Sequence, residues 1–280
     1  ITLIDSLKKA EAHNLFHIAE IQSLAISEWC RSVKNIARQI TSRTRIRQEL
    51  VKFNDGKITL QELNRFTQPK LSDAMNLSEE VIGILRLDRK NQIVARCGYG
   101  GSLPVERHDR SDYISEKVSI SEPLVIKTIP AVIVSAPIQD RSGARQGTDL
   151  VIVELEVLRN IADNAKDLGK TSDIILGYEQ DHAVWPLFPQ PTDNGSSLAP
   201  SDVFHLVQDD IGKAVSGKSG LTQRGDMTVV YYPIAASGWG LAITQNTHEL
   251  YAALNRKIAL IGGVAVLIYA FVLFGFWFLM

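Results

Sequence analysis

Residues 131–155 have the sequence AVIVSAPIQDRSGARQGTDLVIVEL. Two runs rich in β-branched residues, 131–138 and 149–155, flank the polar segment Asp140-Arg141-Ser142-Gly143, whose composition is typical of a hairpin turn. A further apolar run, residues 124–128, comes just before them. The stretch therefore predicts three consecutive strands with a hairpin at its centre.

A second hairpin is predicted upstream, where residues 81–87 and 92–97 flank the turn Asp88-Arg89-Lys90-Asn91. A polar loop and a short helix near Tyr113 separate the two groups of strands. Helix, two strands, short helix and three strands is the order of a PAS-like module with a mostly antiparallel sheet.

Residues 171–250 repeat this order on a smaller scale. The predicted elements are strands at 174–178 and 183–187, a helix over 201–215, and strands at 220–223, 228–234 and 240–244. The predicted fold class is α+β: a long N-terminal helix, two PAS-like modules with mostly antiparallel sheets, and a C-terminal transmembrane helix.

The N-terminal segment has apolar residues at three- and four-residue spacings from Ile4 to Ile40, which predicts one helix over residues 4–47. Its length suggests a stalk leading away from a membrane or a dimer seam, and the apolar stripe allows a parallel homodimer. Thr59 and Glu62 have the spacing of a capping box, so a second helix is predicted to begin there and to run to about Met75.

The C-terminal residues 258–280 contain no charged residue. At about 1.5 Å per residue they are long enough to cross a hydrocarbon core of about 30 Å. Arg256 and Lys257, just before this span, favour a cytoplasmic position for that end under the positive-inside rule, although two charges weigh little.

The span predicts a protein of the bacterial inner (cell) membrane, with residues 1–257 in the periplasm or outside the cell. Export of these residues needs a signal, and we expect it to be an uncleaved transmembrane helix before Ile1. The predicted domains are the long helix (1–50), a membrane-distal module (51–170), a membrane-proximal module (171–250), and an exit helix with the span (251–280).

Composition and motifs exclude several classes of function. The chain has 30 Lys and Arg against 31 Asp and Glu, and it lacks a basic run, so no nucleic-acid partner is expected. Walker, HExxH and nucleophile-elbow motifs are absent from the sequence, so we predict no catalytic residues and no cofactor. His13 and His17 have a metal-compatible spacing but no evident third ligand, so no metal site is predicted. Cys30 and Cys97 are predicted to be buried free thiols.

Several short motifs occur in a characteristic order along the chain. They are Arg110-Ser111-Asp112-Tyr113 on the short helix, Ser121-Glu122-Pro123 entering a strand, VIVSAP at 132–137, VIVEL at 151–155, and Gly238-Trp239-Gly240-Leu241 followed by His248-Glu249-Leu250-Tyr251. With this order, residues 1–257 resemble the double Cache sensor family, the tandem PAS-like modules of bacterial chemoreceptors, sensor histidine kinases and membrane-bound diguanylate cyclases.

The resemblance implies a small-molecule ligand in the membrane-distal module. Arg110 would bind a carboxylate of an anionic or zwitterionic ligand, Glu154 an ammonium group, and Tyr113 would form a wall and donate its hydroxyl. Asp112 and Ser135, within the same motifs, complete the predicted site. Asp112 stands where the family often has tryptophan, so the ligand is expected to differ from that of the common amino-acid sensors.

The implied function is to sense this ligand and to pass the signal through the transmembrane helix to a cytoplasmic output domain. A histidine kinase or a diguanylate cyclase is favoured as the output, and a chemoreceptor is the further option. Two alternatives remain at this stage: a structural ectodomain that dimerises or meets a protein partner, and an ectoenzyme anchored by its C-terminus.

Overall fold

A computed structural model describes residues 3–76, 78–102, 113–188, 190–191, 198–199 and 202–252, together with scattered residues between 255 and 274. This part of the chain has an α+β architecture, with a long N-terminal helix and two antiparallel sheets, as predicted.

The N-terminal helical segment is broken once. Where the sequence predicts one helix over residues 4–47, the structure has α1 (Leu3–Thr41) and α2 (Thr44–Asn54). At the break, the Thr41 hydroxyl donates to the Arg38 carbonyl at 3.0 Å and the Ser42 hydroxyl donates to the Gln39 carbonyl at 3.2 Å. Such side-chain bonds offer the backbone an alternative to continuing the helix. Apolar spacing conceals the break because it continues into α2 at Ile46 and Leu50, which are both buried.

The third helix, α3 (Leu60–Met75), begins at the predicted capping box. The backbone N–H of Glu62 donates to the Thr59 hydroxyl at 3.3 Å, and the N–H of Thr59 donates to the Glu62 carboxylate at 2.7 Å. These two bonds satisfy N–H groups that have no partner within the helix.

The first sheet has six strands in the order β2-β1-β6-β5-β3, with β4 paired to β5, and every pairing is antiparallel. Both predicted hairpins are present, as β1–β2 and β5–β6. The strands are β1 (Val81–Asp88), β2 (Ile93–Gly98), β3 (Ser119–Ile120), β4 (Leu124–Ile126), β5 (Ile129–Gln139) and β6 (Arg145–Glu154).

A short helix that the sequence analysis did not predict, α4 (Glu156–Asp163), follows β6 and is continued by a 3-10 turn (Asn164–Asp167). Its Leu158 is fully buried in the core that α1 shares with both sheets. The helix therefore leads from the first sheet towards the second.

The second sheet has five antiparallel strands in the order β11-β12-β13-β7-β8. Helix α5 (Asp202–Val215) packs on it through Phe204, Val207 and Ile211. The strands are β7 (Asp173–Gln180), β8 (Ala183–Pro186), β11 (Gly220–Arg224), β12 (Met227–Ile234) and β13 (Trp239–Asn246), with β9 (Gln190–Pro191) and β10 (Leu198–Ala199) paired separately.

Helix α1 packs along both sheets. Its buried residues share one continuous core with β5 and β6 of the first sheet and with β12 and β13 of the second. Two polar contacts join it to the second sheet region: the Ser23 hydroxyl donates to the Pro233 carbonyl at 2.6 Å, and Lys34 Nζ donates to the Ala236 carbonyl at 2.6 Å.

The predicted apolar stripe of α1 is largely used by this packing. Leu15, Trp29, Val33 and Ile40 are buried against the sheets. On the opposite face Ile21 and Leu24 are each 62% exposed. Burial of the stripe stabilises the fold itself, whereas Ile21 and Leu24 remain exposed large apolar side chains.

The C-terminal element α6 (Thr247–Leu250) follows β13 directly. The N–H of Asn255 donates to the Tyr251 carbonyl at 2.8 Å, which is the bond expected if helix continues. Most of the predicted span, residues 258–280, lies outside the described residues. Among those described, no helix combines the length and the apolar character needed to cross a bilayer.

Both cysteines are buried free thiols, as predicted. Burial raises the pKa of the Cys30 thiol to about 11. Cys97 lies in the same core, with its Sγ 3.4 Å from Met75 Sδ.

Candidate ligand-binding site

The first sheet has two faces, and alternation along its strands assigns the predicted site residues to one of them. Val132, Val134, Val151 and Val153 belong to the core beneath α1, which we call the inner face. A second apolar cluster covers the opposite, outer face; its buried members are Leu85, Leu87, Ile126, Ala131, Ile133, Leu150 and Ile152.

Three of the five predicted site residues are described. Tyr113 is half-buried and packs against the outer-face cluster. Ser135 follows Ala131 and Ile133 in the alternation of β5, and Glu154 follows Leu150 and Ile152 in that of β6. Arg110 and Asp112 lie outside the described residues.

Ser135 has an unusual environment for a hydroxyl group. It is 3% exposed, and its Oγ is buried without a hydrogen-bond partner among the described residues. A buried polar group left unpaired costs about 1–3 kcal/mol. The outer face therefore holds a hydroxyl that a bound polar molecule could satisfy.

Glu154 lies at the far end of β6, half-buried and paired across the sheet with Ala131, whereas Ser135 pairs with Leu150. The two residues are thus four positions apart on one face, or about 13 Å at ~3.3 Å per residue. Ligand atoms that contact both side chains must lie between these two positions, over Ile133 and Ile152.

Two residues beside this face were missed by the sequence analysis. Lys127, in the turn between β4 and β5, has a φ of 60°, and its Nζ lies 5.0 Å from the centre of the Tyr99 ring. Tyr99 itself packs against the outer-face cluster. A non-glycine residue held in the left-handed region is uncommon and marks strain that often accompanies function. The sequence analysis had included Lys127 in the strand predicted over residues 124–128, whereas β4 ends at Ile126.

The inner face carries a buried ion pair that was also missed. Arg86 and Asp149 lie opposite each other on β1 and β6, and the Arg86 guanidinium donates two hydrogen bonds, of 2.7 and 2.6 Å, to the Asp149 carboxylate. Both side chains are almost fully buried, at 1% and 0% exposure. Their mutual pairing under the helices makes them structural residues rather than candidates for ligand contact.

A group of hydrogen bonds, which we call the Glu249 clamp, joins α6 to residues 168–171 in the connection between the two sheets. The Glu249 carboxylate accepts hydrogen bonds from the backbone N–H groups of Lys170 and Thr171, at 2.8 and 2.9 Å, and from the Thr171 hydroxyl. The Thr171 hydroxyl and these amides lower the pKa of Glu249 below its usual value. Gln245 adds a bond of 3.3 Å to the Leu168 carbonyl.

Gly169 lies close to two polar side chains at this clamp. A Cβ atom on Gly169 would lie 2.4 Å from Gln245 Nε2 and 2.9 Å from Ser172 Oγ. A side chain at position 169 would therefore require both of these polar side chains to move.

The histidine pair on α1 lies on the exposed side of the helix. The ring centres of His13 and His17 are 4.2 Å apart, and His17 Nδ1 is 3.3 Å from a Glu20 carboxylate oxygen. Among the described residues there is no group of three or more His, Cys, Asp or Glu side chains placed to hold a metal ion.

Comparison with known proteins shows which solved structures share this fold. No family model matches the chain, and no curated protein matches its sequence. Solved structures do match. The extracellular domain of the predicted histidine kinase vpHK1S-Z8 is 16% identical, with a TM-score of 0.59 over 90% of this chain and 97% of that one.

Two chemoreceptor domains solved with amino acids are also similar. The ligand-binding domain of the Pseudomonas aeruginosa PAO1 amino-acid chemoreceptor PctC, in complex with GABA, is 15% identical, with a TM-score of 0.57 over 83% of this chain and 99% of that one. That of the Campylobacter jejuni chemoreceptor Tlp3, in complex with L-valine, is 12% identical, with a TM-score of 0.59 over 88% of this chain and 97% of that one.

Identities this low establish the fold alone. The chain has the double Cache fold of extracellular sensor domains, and the resemblance predicted from its motifs is confirmed at that level. The similar chains are sensor and ligand-binding domains of signalling proteins.

Proposed function

We propose that the chain is the extracytoplasmic ligand-sensing part of a membrane-bound bacterial signalling protein. Residues 51–170 form the membrane-distal module that binds the ligand, residues 171–250 form the proximal module, and residues 251–280 carry the signal into the membrane. The observation that carries the proposal is the buried Ser135 hydroxyl, which has no hydrogen-bond partner among the described residues, on the outer face of a sheet whose fold is shared with solved sensor domains.

The ligand is a small anionic or zwitterionic molecule. Arg110 binds its carboxylate through two parallel hydrogen bonds, and Glu154 pairs with an ammonium group where the ligand has one. Tyr113 closes one side over the apolar cluster, while Ser135 and Asp112 supply further hydrogen bonds. The amino acids bound by the PctC and Tlp3 domains support this class of ligand.

The signal passes through the Glu249 clamp. Ligand binding changes the arrangement of the first sheet and of α4, which follows β6 and leads to the clamped residues 169–171. A ligand shifts the exit helix only if it binds one arrangement of that helix more tightly than the other. The two arrangements of the exit helix differ in the hydrogen bonds between Glu249 and residues 170–171.

The full protein crosses the inner membrane at residues 258–280, with residues 1–257 in the periplasm or outside the cell. A histidine kinase or a diguanylate cyclase follows the span, or else the methyl-accepting segment of a chemoreceptor. Two copies associate in parallel through the exposed face of α1, where Ile21 and Leu24 form an apolar patch.

A thermal-shift screen of the purified 280-residue protein against small metabolites tests the sensing role. At least one carboxylate or amino acid should raise the melting temperature, because binding to the native state alone stabilises it. A complete absence of stabilisation across amino acids, carboxylates and polyamines at millimolar concentration would support a structural ectodomain instead.

A further inference from the structure

A second concavity lies between α2 and the β5–β6 turn and has a volume of about 510 Å³. Arg47, Val51 and Lys52 line it from α2, and Asp140, Arg141 and Ser142 line it from the turn. Small-molecule sites typically have volumes of about 300–1,000 Å³. The groove is therefore large enough for a compact ligand.

Two of its cations have no counter-ion within the described part of the chain. Arg47 is half-buried and Arg141 is exposed, and neither forms a salt bridge to a described residue. Lys52 differs, because its Nζ lies 2.8 Å from the Glu49 carboxylate. The two guanidinium groups are thus the available positive charges of the groove.

Among the described lining residues there is one carboxylate, Asp140, and it is hydrogen-bonded within its own turn. Asp140 Oδ1 accepts hydrogen bonds from the N–H and hydroxyl of Ser142, at 2.8 and 2.6 Å, and Oδ2 accepts one from Gln146 Nε2 at 2.7 Å. The Ser142 hydroxyl, followed by these other donors, lowers the pKa of Asp140 to about 2. Asp140 therefore stays ionised and is held within its own turn, and it forms no salt bridge to Arg47 or Arg141, so both guanidinium groups can bind another anion.

The surface that lines the groove is mostly apolar, although Val51 alone of its described residues has an apolar side chain. Val51 contributes its side chain, and arginine and lysine cover such surfaces with their methylene stems while the charged ends remain in water. A groove that combines apolar walls with unpaired guanidinium groups suits a ligand that has both an apolar body and an anionic group.

We propose that this groove is a second ligand site, which binds a small molecule carrying a phosphate or carboxylate group on an apolar body. The guanidinium forks of Arg47 and Arg141 hold the anionic group, since planar forks match the geometry of both groups. The apolar body lies along Val51 and the neighbouring methylene stems.

The groove is distinct from the proposed sensing site. Along β5, Ser135 of the sensing site lies five residues before Asp140 of the groove, a separation of about 16 Å at ~3.3 Å per residue, and Glu154 lies farther away, at the opposite end of β6. The residues of α2 that pack on the first sheet do so with the inner-face residue Ile138, whereas Ser135 lies on the outer face. A ligand in the groove can therefore bind independently of one on the outer face.

Calorimetric titration of the full 280-residue protein in nanodiscs tests the proposal with four probes. Phenyl phosphate and benzoate share an apolar ring and differ in the anionic group, inorganic phosphate lacks the ring, and benzylamine carries a cation on the same ring. We expect phenyl phosphate, benzoate or both to bind, inorganic phosphate to bind more weakly than phenyl phosphate, and benzylamine not to bind.

The variants assign the binding to the groove. Arg47→Ala and Arg141→Ala should each weaken binding about tenfold or more, because each removes a charge-assisted contact. Arg65→Ala, an exposed arginine on α3 that does not line the groove, should leave it unchanged. Arg141→Lys keeps the charge without the fork and should be intermediate. Melting curves confirm that each variant is folded.

Three results would overturn the proposal: neither anionic probe binds at millimolar concentration, benzylamine binds as tightly as the anions, or folded Arg47→Ala and Arg141→Ala variants bind like the unaltered protein. Should one of these two variants fail to fold, Arg141→Lys and Val51→Asp decide in its place. Val51→Asp introduces a carboxylate into the lining and should abolish binding of the anions.

Discussion

The Glu249 carboxylate lies 2.8 Å from the backbone nitrogen of Lys170, so the first turn after β13 is fastened to the connection between the two sheets. The same carboxylate accepts from Thr171, whose hydroxyl also accepts from the N–H of Asn246 at 3.0 Å. The Glu249 side chain thus links the segment that follows β6 of the first sheet to the segment that follows β13 of the second sheet.

The clamp should make stability depend on pH in the acid range. The pKa of Glu249 is lowered in the folded state, so its contribution is present above the unfolded value of about 4.5 and is lost as the pH falls through the folded pKa. The melting-temperature difference between the unaltered protein and Glu249→Gln should therefore be largest near pH 6 and shrink towards pH 3. Glu116→Gln, at an exposed position, is the control. A difference that is independent of pH would contradict the role of the carboxylate.

The buried pair of Arg86 and Asp149 should be a large single contributor to stability. Asp149→Asn keeps the volume but leaves a buried guanidinium uncompensated, which typically costs about 3–5 kcal/mol in the free energy of unfolding. Urea denaturation measures this loss. Arg31→Ala, which breaks the exposed pair with Glu28, should cost no more than about 1 kcal/mol. Equal effects of the two substitutions would show that the buried pair has no special role.

The exposed patch on α1 should control self-association. Ile21→Asp and Leu24→Asp each place a charge on the proposed seam, so the protein should become monomeric in analytical ultracentrifugation. Both side chains are 62% exposed, so the melting temperature should hardly change. Leu206→Asp, a matched change of an exposed leucine on α5, should leave the association unchanged. A dimer that survives both substitutions would place the interface elsewhere.

Membrane topology can be read from cysteine labelling. The buried Cys30 and Cys97 should not react with maleimide in the folded protein, because burial raises the pKa of both thiols and withholds the reactive thiolate. Lys218→Cys introduces an exposed thiol after α5. An impermeant maleimide should label this variant in intact cells. Labelling only after lysis would place the domain in the cytoplasm.

The sequence predicted those features that short-range patterns determine. The β-branched runs around Asp140 and Gly143 gave the β5–β6 hairpin, and Thr59 with Glu62 gave the start of α3. The break at Ser42 was hidden, because hydrogen bonds from Thr41 and Ser42 decide it while the apolar spacing continues.

The site was less predictable, because its contacts join distant parts of the chain. Arg86 and Asp149 are each a single charge within a strand, and only the pairing of β1 with β6 shows that they meet. Glu249 likewise has its partners at Lys170 and Thr171, just before β7, which is the neighbouring strand of β13 but distant from it in the sequence. Ser135 lies in the strand predicted for it, β5, and the ligand-binding roles given to it and to the other four site residues stay predictions.

The most direct test is calorimetric titration of the ligand found by thermal shift against the unaltered protein, Arg110→Ala and Ser135→Ala, with Arg65→Ala as the control. Arg110→Ala should raise the dissociation constant about ten- to a hundredfold and Ser135→Ala about two- to tenfold. Both unliganded variants should melt near the temperature of the unaltered protein, since Ser135 has no described hydrogen-bond partner to lose. Unchanged affinity in both folded variants would contradict ligand binding at the outer face of the first sheet.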